Sequence, residues 1–323
     1  MIPLYRWLLC VTLLAAASAA QAQDWPTRSI KITVPTGAGN ATDVIARLMA
    51  DSVTRSLGQP LVVENLPGAS GLIAHQSVAR AAPDGYTFLF TNTSGLATNP
   101  VTFKSLPYDP AKDFTPVAMV LDFGPQMISV NADLPVHSVA ELVAYAKANP
   151  GKLNYAADAT VGAAVFLGRL FNKRAGTGMV EVPYRQASQM LQDVAGGTVP
   201  VLISSMALVT GMVQAGKIRR IALSASNRFP LLPDLPVIAE TVPGVTIDGW
   251  FAVMAPAGTP PDIVARMNKE IGEFVKGNDF KTRLAGFGLA TSGAGTPQST
   301  GAFIAREQEK WRALAQELDI QPQ

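Results

Sequence analysis

The residues best suited to chemistry are small ones. Val34-Pro35-Thr36-Gly37-Ala38-Gly39-Asn40-Ala41-Thr42-Asp43 links a β-branched apolar segment to an amphipathic one. Gly37 and Gly39 permit a backbone that turns its N–H groups toward an anion, Ala38 and Asn40 complete the loop, and Thr36 and Thr42 add hydroxyl donors. A second loop of the same kind runs Ala157-Asp158-Ala159-Thr160-Val161-Gly162-Ala163. Asp158, Thr160, Gly162 and Ala163 are its candidate ligand contacts, and two such loops on different domains would line a cleft from both sides. The plainer reading of the first loop is a tight turn with Asn40 or Thr42 as helix N-cap. A dinucleotide reading fails, because the third glycine of that fingerprint is missing.

Catalytic groups are sparse. The chain has two histidines, 62 positions apart, and one cysteine, which removes most metal and thiol chemistry. His75, in Ala74-His75-Gln76-Ser77, reads as a surface or packing residue of a helix, and His137 as a loop residue before the Ser138 cap. Asp109 and Asp113 lie in a Pro-bounded loop and read as turn formers. No nucleophile elbow or phosphate loop occurs. The expectation is a protein that is not an enzyme and uses no cofactor. With 26 Lys+Arg against 24 Asp+Glu, the net charge of +2 gives no footprint for nucleic acid.

The N-terminus has Arg6, an apolar run from Trp7 to Ala17, and Ala20-Gln21-Ala22, the small-x-small pattern of signal cleavage. The run is too short to span a bilayer, which takes about 20 residues. Cleavage after Ala22 removes 22 of 323 residues, Cys10 among them, and leaves a cysteine-free exported chain suited to a bacterial periplasm.

Behind the loops, strands and helices alternate. Strands are expected at Ser29–Val34, Leu61–Glu64, Tyr86–Phe90, Val117–Leu121, Met127–Val130, Leu153–Ala157, Met179–Val182, Val199–Ser204 and Ile218–Ala225. Helices are expected at Asp43–Leu57, from the Ser138-x-x-Glu141 capping box to Ala148, after Pro260-Pro261, and over Ser299–Leu318. Such alternation predicts an α/β protein of mainly parallel sheets flanked by helices, and the length suggests two such domains. The Pro-rich stretch Arg228–Pro243 is the candidate crossing between them. Ligands of such sheets bind beyond the carboxyl ends of the strands.

Across the mature chain, ordered segments resemble the Bug-type solute receptors of tripartite tricarboxylate transporters. They include Trp25-Pro26, Val63-Glu64-Asn65-Leu66-Pro67-Gly68-Ala69, Ala82-Pro83-Asp84-Gly85-Tyr86-Thr87 and Leu106-Pro107-Tyr108-Asp109-Pro110. Ala148-Asn149-Pro150-Gly151-Lys152-Leu153-Asn154-Tyr155-Ala156, Val182-Pro183-Tyr184, Leu232-Pro233-Asp234-Leu235-Pro236 and Ala255-Pro256-Ala257-Gly258-Thr259-Pro260 follow. The resemblance implies a periplasmic, monomeric two-domain binding protein of the Venus flytrap kind, type II-like. The expected division is 23–123 and 246–323 for one domain and 124–245 for the other. It would close on a small organic carboxylate and deliver it to a large and a small membrane subunit. The implied ligand loops are Pro35–Thr42, Thr91–Ser94 with Thr91, Thr93 and Ser94 as contacts, Asp158–Ala163, and the neighbourhood of Ser204. A sensory role without transport, and less readily a periplasmic hydrolase or isomerase, are the alternatives.

Departures from the family pattern bear on specificity. Thr36 and its neighbours replace an aromatic, prolines and paired glycines. Ala163-Ala164-Val165-Phe166 replaces a polar Ser/His run, which suggests an apolar wall for an acid with a hydrocarbon or aromatic body, unless these residues pack their own helix inward. Asp158 either holds a ligand hydroxyl or ammonium or caps its loop. Arg185 either pairs with a ligand carboxylate or sits on the surface.

Overall fold

β1 (Ile30–Val34) is a strand buried on both faces, as its run of β-branched residues requires of a parallel strand. Residues 25–157, 162–184, 186–229 and 231–322 are described by the computed structural model. The expected signal segment and cleavage site after Ala22, and Asp158, Thr160 and Arg185, lie outside them. α1 (Ala41–Leu57) starts where Asn40 Oδ1 accepts the Asp43 N–H and stops at Gly58 in the left-handed region. It buries Ile45, Met49 and Val53 on the face that the 3.6-residue period marked.

β2 (Leu61–Asn65) and β3 (Thr87–Asn92) flank β1 in parallel. Between them lie a short turn at Ala69–Gly71 and α2 (Leu72–Ala79). After β3 come a π turn (Ser94–Thr98) and α3 (Asn99–Thr102). The two strands expected at 117–121 and 127–130 are one: β4 spans Phe114–Asn131. Asp122-Phe123-Gly124-Pro125 reads as a strand breaker, but here it is the place where β4 changes partners. Up to Pro125 the strand pairs antiparallel with β9 (Asp248–Pro256); from Gln126 it pairs with β7 (Val201–Ser205) and β8 (Ile218–Leu223). At the switch Gly124 faces Gly249, and a Cβ on Gly124 would stand 3.0 Å from the Gly249 carbonyl oxygen.

The remaining order is α4 (Val139–Ala148), β5 (Asn154–Ala157), α5 (Ala163–Ala175), β6 (Val180–Pro183), α6 (Ala187–Ala195) and α7 (Met206–Gln214). α8 (Pro261–Lys276), α9 (Asn278–Gly286) and α10 (Pro297–Glu317) close the chain. The strand order is β2-β1-β3-β9-β4-β7-β5-β6, with β8 on β4. Ser138 caps α4 as expected, but Glu141 reaches back to the His137 N–H at 2.6 Å. α10 packs across both halves of the sheet: its Gln308 donates to the Leu96 carbonyl of the π turn at 3.0 Å, while its Trp311 meets Phe166 of α5 edge to face at 4.9 Å and its Glu317 pairs with Arg174 at 2.8 Å. The stretch from Arg228 toward Pro243 lies against β8 through Val237 and is pinned by a two-pronged Arg228–Glu240 ion pair.

Candidate functional site

The N-termini of three helices open on one cavity of about 200 Å³ between the two halves of the sheet. Ala41 is the first residue of α1, Ala163 the first of α5, and Ser205-Met206 the start of α7; all line it. The first N–H groups of a helix have no partner within it, and the summed peptide dipoles make that end positive. No Lys, Arg, His, Asp or Glu lines the cavity among the described residues. Its polar walls are neutral: Asn92, Thr93, Ser94, Gln126 and Ser205. The arrangement suits an anion held by backbone and amide donors rather than by a counter-charge.

The loop ahead of α1 is braced from behind by Asp43, a carboxylate buried in the first turn. It accepts the Gly39 N–H at 2.8 Å, the Asn65 amide at 2.8 Å and the Arg47 guanidinium at 3.1 Å. Burial pushes its pKa up, but these bonds and the Arg47 charge outweigh it and hold it below the ordinary value. Asn65 also donates to the Thr36 carbonyl at 3.0 Å. Asn40 Oδ1 is engaged locally, accepting from Thr36 Oγ1 at 3.1 Å and from the Asp43 N–H at 3.0 Å. Gly37, Ala38 and Gly39 are exposed and Thr42 is buried.

The end of β3 divides its residues by strand alternation. Thr91 turns inward, its hydroxyl 2.8 Å from His75 Nε2, while His75 Nδ1 donates to the Gly71 carbonyl at 2.8 Å. Burial lowers the His75 pKa to about 4, so the ring is neutral and Nε2 accepts from Thr91. Stacked on Tyr108 at 5.0 Å, His75 is a packing residue of α2. Thr93 Oγ1 accepts the Trp250 N–H at 2.9 Å. Asn92 Oδ1 accepts the N–H groups of Ser94 and Gly95, leaving its amide nitrogen and the Ser94 hydroxyl without partners among the described residues.

The apolar wall is made by other residues than the sequence suggested. Ala164, Val165 and Phe166 are buried in the core, with Phe166 on Trp311, because that face of α5 covers its own sheet; only Ala163 reaches the cavity. Leu121, Met206, Trp250, Phe251, Phe287 and Leu289 supply the wall instead. Phe287 and Leu289 straddle Gly288, whose φ of +73° needs glycine and where a Cβ would stand 2.0 Å from the Met206 terminal methyl. That close approach sets the 287–289 loop against α7. Ser204 is fully buried, its hydroxyl 3.3 Å from the Ser205 carbonyl, and the next residue, Ser205, faces the cavity. Of the expected contacts, then, Thr93, Ser94 and Ala163 meet at the cavity, and Thr36 lines a neighbouring one.

Asn92 falls within the implied Thr91–Ser94 segment and Ser205 beside Ser204, whereas Gln126 carries no signal in the sequence. Position at a strand's carboxyl end is the signal that could have found Asn92 and Ser205; Gln126 and the 287–289 loop arrive only through the sheet crossing. One titratable group sits behind the cavity wall. Asp248 pairs with Pro125 at the crossing, and its Oδ1 is buried without a partner. Burial pushes its pKa up to about 6, with the Glu307 charge also raising it and Lys310 opposing. Among the described residues no cluster could hold a metal ion, and no helix is long and apolar enough to cross a membrane.

Two α/β halves sharing long crossing strands around a neutral-walled cavity define a solute-binding protein of the periplasmic-binding fold. Residues 45–320 match the family described as "Tripartite tricarboxylate transporter family receptor". The chain is 38% identical over 321 residues to a UPF0065 protein of Bordetella bronchiseptica, covering 99% of this chain and 95% of that one. It is 36% identical to Protein BugT of Bordetella pertussis, covering 93% and 92%. A solved structure, R. palustris Rpa4515 with adipate, superposes with a TM-score of 0.83 at 36% identity, covering 93% of this chain and all of that one. The chain belongs to the tripartite tricarboxylate transporter receptor family, whose members are receptors for solutes, not enzymes.

Proposed function

We propose that the chain is a periplasmic receptor that captures a small organic carboxylate with an apolar body and delivers it to the membrane subunits of a tripartite transporter. One observation carries the reading. Three helix N-termini meet in a cavity whose other walls are apolar side chains and neutral donors. Dipoles and N–H groups suit a carboxylate, while the Phe251, Phe287 and Leu289 wall suits its hydrocarbon body. The related R. palustris protein was solved with adipate, an acid of that description. The division at 23–123, 124–245 and 246–323 follows the partner change of β4 at Pro125–Gln126, and the two parts close on the ligand about that crossing. The segment up to Ala22 directs export and is cleaved there, and the mature chain works as a monomer.

The test is a thermal-shift and titration screen of organic acids beside their neutral amides. An acid at about 100 times its Kd adds roughly 2.7 kcal/mol. The informative variant is Ala163→Asp, which puts a carboxylate at the start of α5. It is favourable to the helix itself and is expected to lower acid affinity at least about tenfold without lowering the melting temperature. Acids and amides that stabilise equally would refute the reading.

A further inference from the structure

No residue of α10 lines the cavity between the two halves, among the described residues, yet one turn of that helix stands behind three of its walls. Glu307 Oε2 accepts the indole N–H of Trp250, a cavity wall on β9, at 3.3 Å. The same oxygen accepts the indole N–H of Trp311 at 3.3 Å. Trp311 packs on Phe166, one turn of α5 beyond the wall residue Ala163. Gln308, next to Glu307, holds the Leu96 carbonyl of the π turn that starts at the wall residue Ser94. Three segments remote from one another in the chain are thus tied to residues 307, 308 and 311.

We propose that Glu307 is a positioning residue for ligand binding: its carboxylate fixes the Trp250 wall and, through Trp311 and Phe166, the start of α5 on one support. The inference rests on the receptor reading and deepens it. Both rings are buried, Trp250 at 1% exposure and Trp311 at 0%. An indole has a single polar atom, a donor, and a buried donor left without an acceptor costs its desolvation in full. Glu307 Oε2 is the acceptor of both among the described residues. One oxygen serving two donors makes the direction of each ring depend on the other. An apolar side chain in its place could fill the space but could not aim either ring.

The surroundings of the carboxylate turn it the same way. Glu307 and Trp311 are one helical turn apart on the same face of α10, and helical side chains lean back toward the N-terminus. The other oxygen, Oε1, pairs with Lys310 at 3.3 Å; the side chains are 37% exposed for Lys310 and 13% for Glu307, so the ion pair lies on the solvent side and Oε2 points inward. Trp250 is held at its backbone too, where its N–H donates to Thr93 Oγ1 at 2.9 Å, and its ring meets Phe303 edge to face at 5.8 Å. The wall is therefore pinned at the strand and at the indole tip, and Glu307 supplies the second pin.

The experiment pairs amide hydrogen exchange with calorimetric titration of the ligand-stripped mature chain, using adipate and straight-chain diacids and monoacids of neighbouring length as probes. Glu307→Gln keeps an oxygen acceptor at the same reach and removes the charge. Glu307→Asp keeps the charge and draws the acceptor back by a methylene, and Glu307→Leu removes the acceptor. E307Q is expected to bind within about threefold of the native protein, while E307D and E307L lose at least about tenfold. In those two, the amides of the π turn, of α5 from Phe166 onward and of β9 beside Trp250 should exchange at least about tenfold faster, with β1 and α1 unchanged. Working at pH 8 keeps Asp248, raised to about 6 by burial and by the Glu307 charge, from titrating. E307Q as weak as E307L, or E307D as strong as the native protein, would overturn the proposal. So would exchange quickened evenly through the chain, which lost stability alone produces. If no acid binds the native protein the receptor reading fails, and the exchange pattern still decides whether Glu307 holds the walls.

Discussion

Replacing Asp248 by Asn is expected to expose a pH dependence of stability that the native protein hides. Two buried groups titrate in the same window with opposite sign. Asp248 is raised from 3.8 to about 6 in the fold, so its stabilising contribution is full below pH 3.8 and is lost as pH rises through 6. His75 is lowered from 6.5 to about 4, so its contribution is full above pH 6.5 and is lost as pH falls toward 4. Each linkage has a limiting slope of about 1.4 kcal/mol per pH unit. Between pH 4 and 6 the folded state holds a proton on Asp248 that the unfolded chain releases, while the unfolded chain binds one on His75 that the fold excludes. The two slopes cancel. Asp43 titrates below this window, and the lowered, ion-paired Glu240 and Glu273 tilt the profiles of native protein and variant alike, so the difference between the two profiles is what reports Asp248.

Urea unfolding of the native protein across pH 4 to 6 should therefore give a free energy flat to within about 1 kcal/mol. In Asp248→Asn the His75 slope is no longer offset, and stability should fall by about 2–3 kcal/mol more than in the native protein from pH 6 to pH 4. Any contact altered by the amide shifts the whole curve and drops out of a slope. A variant whose pH profile parallels that of the native protein would refute the assignment of a protonated Asp248 at the crossing.

Asp43→Ala strips the acceptor from Gly39, Asn65 and Arg47 at once; a loss of about 2–4 kcal/mol is expected in urea unfolding, with weaker acid binding as the loop ahead of α1 loosens. Stability unchanged within about 1 kcal/mol would show the network to be dispensable. Gly95→Ala sets a Cβ 1.8 Å from His75 Nε2, so the neutral imidazole must leave its place between Gly71 and Thr91; a loss of about 3 kcal/mol is expected, read as a lowered melting temperature, and an unaltered melt would contradict the packing described for His75.

If the halves close on an anion as proposed, the lack of cationic side chains around the cavity, among the described residues, lowers the cost of closing. A guanidinium in the cleft would have to be desolvated with the ligand as the halves meet, at a cost of several kcal/mol per ion. Backbone N–H groups at helix starts are already fixed by their helices and lose little on closing. On that reading, closing changes how many of the three termini face the same point, since α1 belongs to one half of the sheet while α5 and α7 belong to the other. A ligand that satisfies all three favours the closed arrangement by that difference.

Local pattern was enough for much of this protein. The Asn40 cap, the Gly58 stop and the inner face of α1 follow from side-chain periodicity and capping chemistry that act within a few residues. The small-residue loops raise the expectation of an anion site for the same local reason, since glycine and helix starts present N–H groups wherever the chain goes next. The resemblance in ordered segments carried the family. Tertiary structure decided which side chains face the cavity. Thr91 and Ser204 turn into the core while Asn92 and Ser205 turn out, and a one-residue phase at a strand end cannot be read without the sheet around it. Ala164, Val165 and Phe166 form an apolar run that could face either a cleft or a core, and α10, arriving from near the far end of the chain, settles it by placing Trp311 on Phe166. The wall that does form comes from Phe287 and Leu289, brought in by Gly288 against Met206. Such contacts join segments far apart in the chain, and hydrophobicity alone says that a residue will be covered but not by what.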